Sequence, residues 1–123
     1  MKTSELTGAA LDWTVAKAEG KAPKVDCTSF KGTFNYCVYL GWSYEHSSSG
    51  SIIEYRPSKD WARGGPIIER EMISVWPWDD VTWKAEAARD AIVFEGPTPL
   101  IAAMRCFVAS KLGDVVDVPK ELA

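Results

Sequence analysis

The sequence predicts an α+β domain, a small mixed fold in which an antiparallel sheet packs against two main helices. Three observations predict it. A stretch of helical periodicity with cap residues lies near each end of the chain, Thr7 to Glu19 and Pro99 to Leu112. Between them run several short aromatic and β-branched segments separated by glycine, proline and polar turns. Finally, 123 residues with 46% hydrophobic content are enough for one core and too few for two, so residues 1–123 are expected to form a single domain.

In chain order, Thr7 can cap a first helix on which Leu11, Val15 and Ala18 recur at helical spacing, and Gly20 supplies its stop. Lys21 to Lys24, with Pro23, reads as a linker, and Val25 to Phe34 carries no clear period. Tyr36 to Leu40 fits a strand that meets a bend or bulge at Gly41 and Trp42. The run His46 to Ser51 is too polar to pack and reads as a loop, after which Ile52 to Arg56 resumes as a strand ended by Pro57; a hairpin is the cheapest way to join the two. Ser58 opens a short helical turn that Gly64 and Gly65 should end. The segment PIIEREMI is ambiguous, as a strand mixing charge and apolar groups on both faces, as a helix beginning at Pro66. Ile73 to Trp76, Val81 to Ala87 and Ala91 to Phe94 read as strands, with turns at Pro77 and at Arg89 and Asp90. The clearest element is the last helix, with Thr98 as cap, Pro99 in its first position, Gly113 at its end and Leu100, Met104, Phe107 and Val108 as its apolar stripe. Val115 to Val118 is expected to close the chain as a short strand.

Composition narrows the function. A formal charge of -3 argues against a protein whose main work is neutralising the phosphates of extended DNA or RNA. No apolar run is long enough for a membrane span, and Thr3, Ser4 and Glu5 stand where a secretory signal would be apolar, so a cytoplasmic protein is expected. Cys27, Cys37 and Cys106 have no CxxC spacing and read as buried thiols rather than zinc ligands or disulfides. Six tryptophans exceed what so small a core needs, which points to surface roles for some of them.

The densest polar segment is Tyr55 to Glu71, YRPSKDWARGGPIIERE. It gathers Arg56, Asp60, Arg63, Glu69 and Arg70 around Trp61 and the pair Gly64 and Gly65. Arginine offers a planar fork for phosphate or carboxylate, tryptophan a stacking face for a base, and glycine lets backbone amides approach a ligand. The competing reading has Trp61 anchoring the loop to the core while the charges pair with one another in solvent. Within the first reading Asp60 can also cap the turn and Glu69 can orient Arg70. A second group, Trp76, Trp78 and Trp83, flanks Asp79 and Asp80. It reads either as an aromatic wall with acceptors for hydroxyl or amino groups, or as a turn whose indoles cover a sheet edge. Asp79 and Asp80 lack further ligands at metal-binding spacing, so no metal is expected. His46 sits among serines without a nucleophile elbow, and no P-loop is present; neither a catalytic set nor a cofactor is expected.

Two of these stretches, YRPSKDWARGGPIIERE and GPTPLIAAMRCFVASKLGDVVDVP, together with TSELTGAALDWTVAKAEG at the start, resemble the NinX-like proteins encoded in the nin region of lambdoid and P22-type phages. The resemblance covers about the first 20 residues and most of Tyr55 to Pro119, and leaves out Val25 to Ile53. It implies a phage setting without implying a reaction. In composition and setting the chain is also similar to small phage counter-defence sponges, which sequester nucleotide-derived immune signals such as cyclic ADP-ribose relatives or cyclic dinucleotides. The expectation is therefore a protein that binds such a ligand without turnover, with Trp61 stacking and Arg56, Arg63 and Arg70 holding phosphate. Asp60, Glu69, Gly64, Gly65, Trp76 and Trp78 are further contacts. The alternative is a protein-interaction module that inhibits a nucleic-acid enzyme through Trp76, Trp78 and Trp83. A homo-oligomer is expected, because a helix such as Pro99 to Leu112 commonly doubles as a dimer interface.

Overall fold

The computed structural model describes the backbone of residues 1–30, 33–43 and 51–123, and the side chains of 1–25, 38–40 and 54–123. At its centre is α3, Pro99–Leu112. Leu100, Ile101, Ala102, Ala103, Met104, Cys106, Phe107, Val108 and Ala109 are all buried, so this helix is covered nearly all round. Its boundaries are those the sequence predicts. The Thr98 hydroxyl accepts from the Ile101 amide at 3.1 Å, Pro99 occupies the first turn where its missing N–H costs nothing, and Gly113 ends it at φ 94.

One side of α3 is covered by an antiparallel sheet of β4 (Ile73–Pro77), β5 (Trp83–Ala87) and β6 (Ile92–Gly96), in that spatial order. The register pairs Ile73 with Ala87, Val75 with Ala85, and these alanines with Ile92 and Phe94, so one face presents an apolar layer to the helix. Small side chains at Ala85 and Ala87, both buried, let α3 lie close to the central strand. At Gly96, on β6, the approach is too tight for a side chain: a Cβ would stand 2.6 Å from the Ala102 amide nitrogen.

Two helices pack elsewhere on α3: α1 (Gly8–Ala18), through Leu11 and Val15, and α2 (Trp61–Glu71). A second antiparallel sheet, β1 (Lys24–Phe30), β2 (Thr33–Ser43) and β3 (Ser51–Glu54), joins the body through β2 against α1. The α+β class is as predicted, with two three-stranded sheets and a third helix among the described residues where one sheet and two main helices were expected. The hairpin between β2 and β3 is present, and its register shifts between Tyr39 and Trp42, where the sequence predicts a bulge. The stretch without a clear period, Val25 to Phe34, holds all of β1 but its first residue, Lys24, which the sequence placed in the linker. The predicted loop His46 to Ser51 lies outside the described residues up to residue 50, as do the side chains of Cys27, Cys37 and Trp42; Ser51 already belongs to β3. Cys106 is a buried free thiol, its pKa raised to about 11 by burial, its Sγ donating to the Ile92 carbonyl at 3.3 Å.

Two expectations are corrected. Val115 to Val118 is no strand: a single bridge joins Val115 to Lys2, and the chain ends are tied by the paired Met1 and Val116 backbone groups and by Thr3 on Gly113 and Asp114. Gly64 and Gly65 do not end a turn begun at Ser58. They lie inside α2, which Asp60 caps by accepting from the Ala62 amide at 3.0 Å, and which continues through Pro66 to Glu71. Tertiary packing outweighs glycine's weak helical preference here. At Gly64 a Cβ would meet the Pro57 carbonyl oxygen at 2.5 Å and Leu100 Cδ2 at 2.6 Å, so this position is where α2 presses on α3 and the preceding loop. Gly65 relieves the clash that a Cβ before Pro66 would make, and Pro66, six residues into the helix, forfeits one hydrogen bond to the first turn. The helix stops at Met72, which takes the left-handed conformation at φ 54, ψ 48.

Candidate functional site

A buried carboxylate, Asp12, underlies the site. Asp12 lies on α1 among Leu11, Val15 and Ala16, all buried, and is itself 2% exposed. Its Oδ1 accepts from the Ser58 amide at 2.9 Å, across 46 positions of sequence. Burial raises the Asp12 pKa to about 6, against the lowering effect of the Ser58 hydrogen bonds and of the Lys59 and Arg56 charges. The Ser58 hydroxyl is close enough to lower that pKa, yet it is buried without a partner of hydrogen-bonding geometry. Sequence reasoning missed this link. Its signal was a carboxylate one residue from the apolar stripe of α1, a position that turns inward with Leu11.

The link holds a tight turn. Lys59 and Asp60 amides return to the Arg56 carbonyl at 3.0 and 2.7 Å, Pro57 and Ser58 are buried, and Asp60 starts α2. Ser58, Lys59 and Trp61 then line a cavity of about 290 Å³ whose other wall is the start of α3, Thr98 to Ile101. Trp61 is 56% exposed on its rim. The cavity therefore combines an available indole, one lysine ammonium, and the first turns of two helices, whose N-terminal ends carry partial positive charge. The sequence marks Thr98, Pro99 and Leu100 only as cap, first turn and core of a helix, and gives Lys59 and Ile101 no role at a site.

The arginines are placed elsewhere. At about 100° per residue, Arg63 and Arg70 are seven positions apart and share a face of α2, whereas Trp61 and Arg70, nine apart, point to opposite sides. Arg70 is spent within the fold: it binds Glu19, the C-cap of α1, through both terminal nitrogens and Glu71 at 3.0 Å, and stands 5.7 Å over the Phe107 ring. Glu19 and Glu71, not Glu69, orient it; Glu69 is exposed. Lys111 also reaches Glu71 at 3.0 Å, and these cations hold the Glu71 carboxyl below its ordinary range. Arg63 is exposed, and its charge is felt by Tyr55, whose buried hydroxyl is pushed up to about 12 by burial and by Glu19 against the pull of Arg63. Arg56 pairs with Glu54 at 3.5 Å. Thus the predicted convergence of three arginines on Trp61 is not what the fold brings together. Asp60 is a helix cap, and Gly64 and Gly65 serve packing and the proline.

The second tryptophan group behaves as a turn. Trp76 and Trp83 are half-buried, while Trp78 is 60% exposed with the Lys84 ammonium 3.7 Å from its ring centre. Asp79 Oδ1 accepts from the Val81 amide at 2.9 Å, which closes an Asx-type turn and lowers the carboxyl's pKa. Among the described residues no three His, Cys, Asp or Glu side chains gather into a cluster able to hold a metal ion, and no helix is long and apolar enough to cross a membrane. A family model described as bacteriophage P22 NinX matches residues 2–111, and no curated protein sequence matches the chain.

Proposed function

The chain belongs to the bacteriophage P22 NinX family and is on that ground a phage accessory protein; from this premise we propose that it binds a nucleotide-derived signal without turnover, as a cytoplasmic counter-defence sponge. The observation that carries the reading is the exposed Trp61 indole beside Lys59 at a cavity between the starts of α2 and α3. The indole stacks on a base, and the lysine with the helix ends receives phosphate. An acidic protein tolerates this, because a pocket needs only local positive potential. Lys59 takes the role that the sequence assigned to the arginines. In this reading the protein works as a homo-oligomer, through a surface other than the expected α3, which is already covered nearly all round within one chain; light scattering after size exclusion checks the state directly.

The test is native mass spectrometry of protein purified from bacteria, followed by heat release and identification of the bound molecule. An intact nucleotide or cyclic nucleotide, unchanged with time, is the expected result; a product that accumulates with time would mean hydrolysis instead. Trp61→Ala should weaken binding at least tenfold while leaving the melting temperature within a few degrees, since the side chain is mostly exposed. A protein that is empty, and that no nucleotide signal stabilises against heat, would sink the proposal. A second reading, inhibition of a nucleic-acid enzyme, is favoured by one observation: Trp78 and Val81, 60% and 75% exposed, stand together on the turn between β4 and β5. It predicts a specific protein partner whose capture is lost in Trp78→Ala.

A further inference from the structure

Outside that site, a second cavity of about 480 Å³ opens beside β6, lined by Ser4, Lys84, Val93, Phe94, Glu95 and Arg105. The register explains its contents. Lys84 pairs with Glu95 across β5 and β6, on the face opposite the α3 layer, and Arg105 comes from α3. The Arg105 guanidinium is fixed by two backbone carbonyls, Nε donating to Leu6 at 2.7 Å and Nη1 to Glu95 at 2.8 Å. Among the described residues its Nη2 has no partner and no carboxylate is paired with it. Carbonyls satisfy hydrogens without cancelling charge, so a half-buried cation is left without a counter-ion. Burial acts on it accordingly, lowering its pKa. Lys84 leans on the Trp78 ring and reaches Glu95 Oε1 at only 3.5 Å, on a carboxylate side chain that is 60% exposed. Two cations against one carboxylate leave the lining positive on a molecule whose formal charge is -3.

We propose that this cavity is a phosphoryl-binding site, distinct from the Trp61 cavity, in which Arg105 Nη2, the Lys84 ammonium and the Ser4 hydroxyl receive the oxygens of a small phosphorylated molecule while the Phe94 ring borders its organic part. A tetrahedral dianion fits better than a planar carboxylate, because the donors come from three separate elements, the N-terminal turn, β5 and α3, rather than from one arginine fork. Pre-fixing of the guanidinium lowers the ordering cost of binding.

The experiment is titration of the full chain with inorganic phosphate, pyrophosphate and acetate at matched low ionic strength, followed by backbone amide shifts in nuclear magnetic resonance. Phosphate and pyrophosphate should move the amides around Lys84, Glu95 and Arg105 saturably, with acetate at least tenfold weaker. Two charge-removing substitutions, one at the mostly buried Lys84 and one at the exposed Glu95, should then act with opposite sign. Lys84→Gln should weaken pyrophosphate about tenfold, and Glu95→Gln should tighten it about threefold, as removal of one charge near the anion requires. Arg105→Lys, which keeps the charge and loses the fork, should weaken it at least tenfold; if that variant does not fold, the first two still decide. Acetate binding as well as phosphate, shifts confined to Ser58 to Trp61, or indifference to both Lys84→Gln and Glu95→Gln would overturn the proposal.

Discussion

Replacing Asp12 by asparagine keeps the size of the side chain and the oxygen that accepts the Ser58 amide, and removes the titrating group. In the folded protein that group has a pKa of about 6 against an ordinary 3.8, because burial disfavours the carboxylate. A difference of about 2 in pKa corresponds to roughly 3 kcal/mol. The folded state binds this proton more tightly than the unfolded state, so the contribution is fully present below about pH 4. It is lost as pH rises through about 6, and above pH 7 the fold bears the whole cost of a buried charge. The asparagine variant is spared that loss. Urea unfolding of both proteins between pH 4 and 8 should show a difference near zero, or a small constant, at pH 4, rising to roughly 3 kcal/mol in favour of the variant by pH 7.5. That corresponds to about 10 °C in melting temperature for a domain of this size. Other carboxylates titrate in both proteins and cancel in the difference, including Glu71, whose lowered pKa acts with the opposite sign. A difference that is flat with pH, or one that grows toward low pH, would refute the assignment of a buried, proton-binding Asp12.

Adjacent glycines should respond differently to the same change: Gly64→Ala is expected to cost about 1–3 kcal/mol by thermal or urea unfolding, because its Cβ has no room between Pro57 and Leu100. Gly65→Ala, whose Cβ meets only Trp61 Cε3 at 3.9 Å, should stay within about 1 kcal/mol of wild type, helix propensity gained against the clash with Pro66. At the end of α2, Met72→Gly should stabilise by about 0.5–1 kcal/mol, since the left-handed backbone suits glycine and the lost side chain is 62% exposed. Arg70→Ala should cost about 1 kcal/mol through the seam it makes with Glu19, Glu71 and Phe107, a value kept small because half the side chain is in solvent. That loss should shrink in 1 M salt.

Local chemistry made α3 and its caps legible, because Thr98, Pro99 and Gly113 act within a few residues of where they stand. The same holds for β4 to β6, whose alternation is short-range. α2 was illegible for the complementary reason. Gly64 and Gly65 are breakers by propensity, and what keeps the helix running through them is contact with Pro57 and Leu100, which no local window contains. At the site, the chemistry of Trp61 was readable and its neighbours were not. Arg63 and Arg70 are close to it in sequence but face away once the segment is helical, while Lys59 and Thr98 to Ile101 meet it only through the fold. Asp12 stands as a carboxylate beside an apolar stripe, a signal the sequence reading passed over, and its partner lies 46 positions away, outside any local window.

Asp12 also bears on what the cavity is for. Asparagine would make the same hydrogen bond to Ser58 without the roughly 3 kcal/mol that an ionised carboxylate costs above pH 7. The carboxylate is bonded to the turn that presents Lys59 and Trp61, so its charge is placed to act on the site proposed above as well as on the fold. The two roles separate experimentally in one variant. If the carboxyl serves only to hold Ser58, Asp12→Asn should be more stable at neutral pH and leave any binding at the proposed nucleotide site unchanged. If its charge sets the field felt by Lys59 and by the unpartnered Ser58 hydroxyl, the same more stable protein should bind with altered affinity, and the pH dependence of wild-type binding between about 5 and 7 should disappear. Stability gained together with binding changed is the outcome expected here; stability gained with binding untouched at every pH would assign Asp12 to architecture alone.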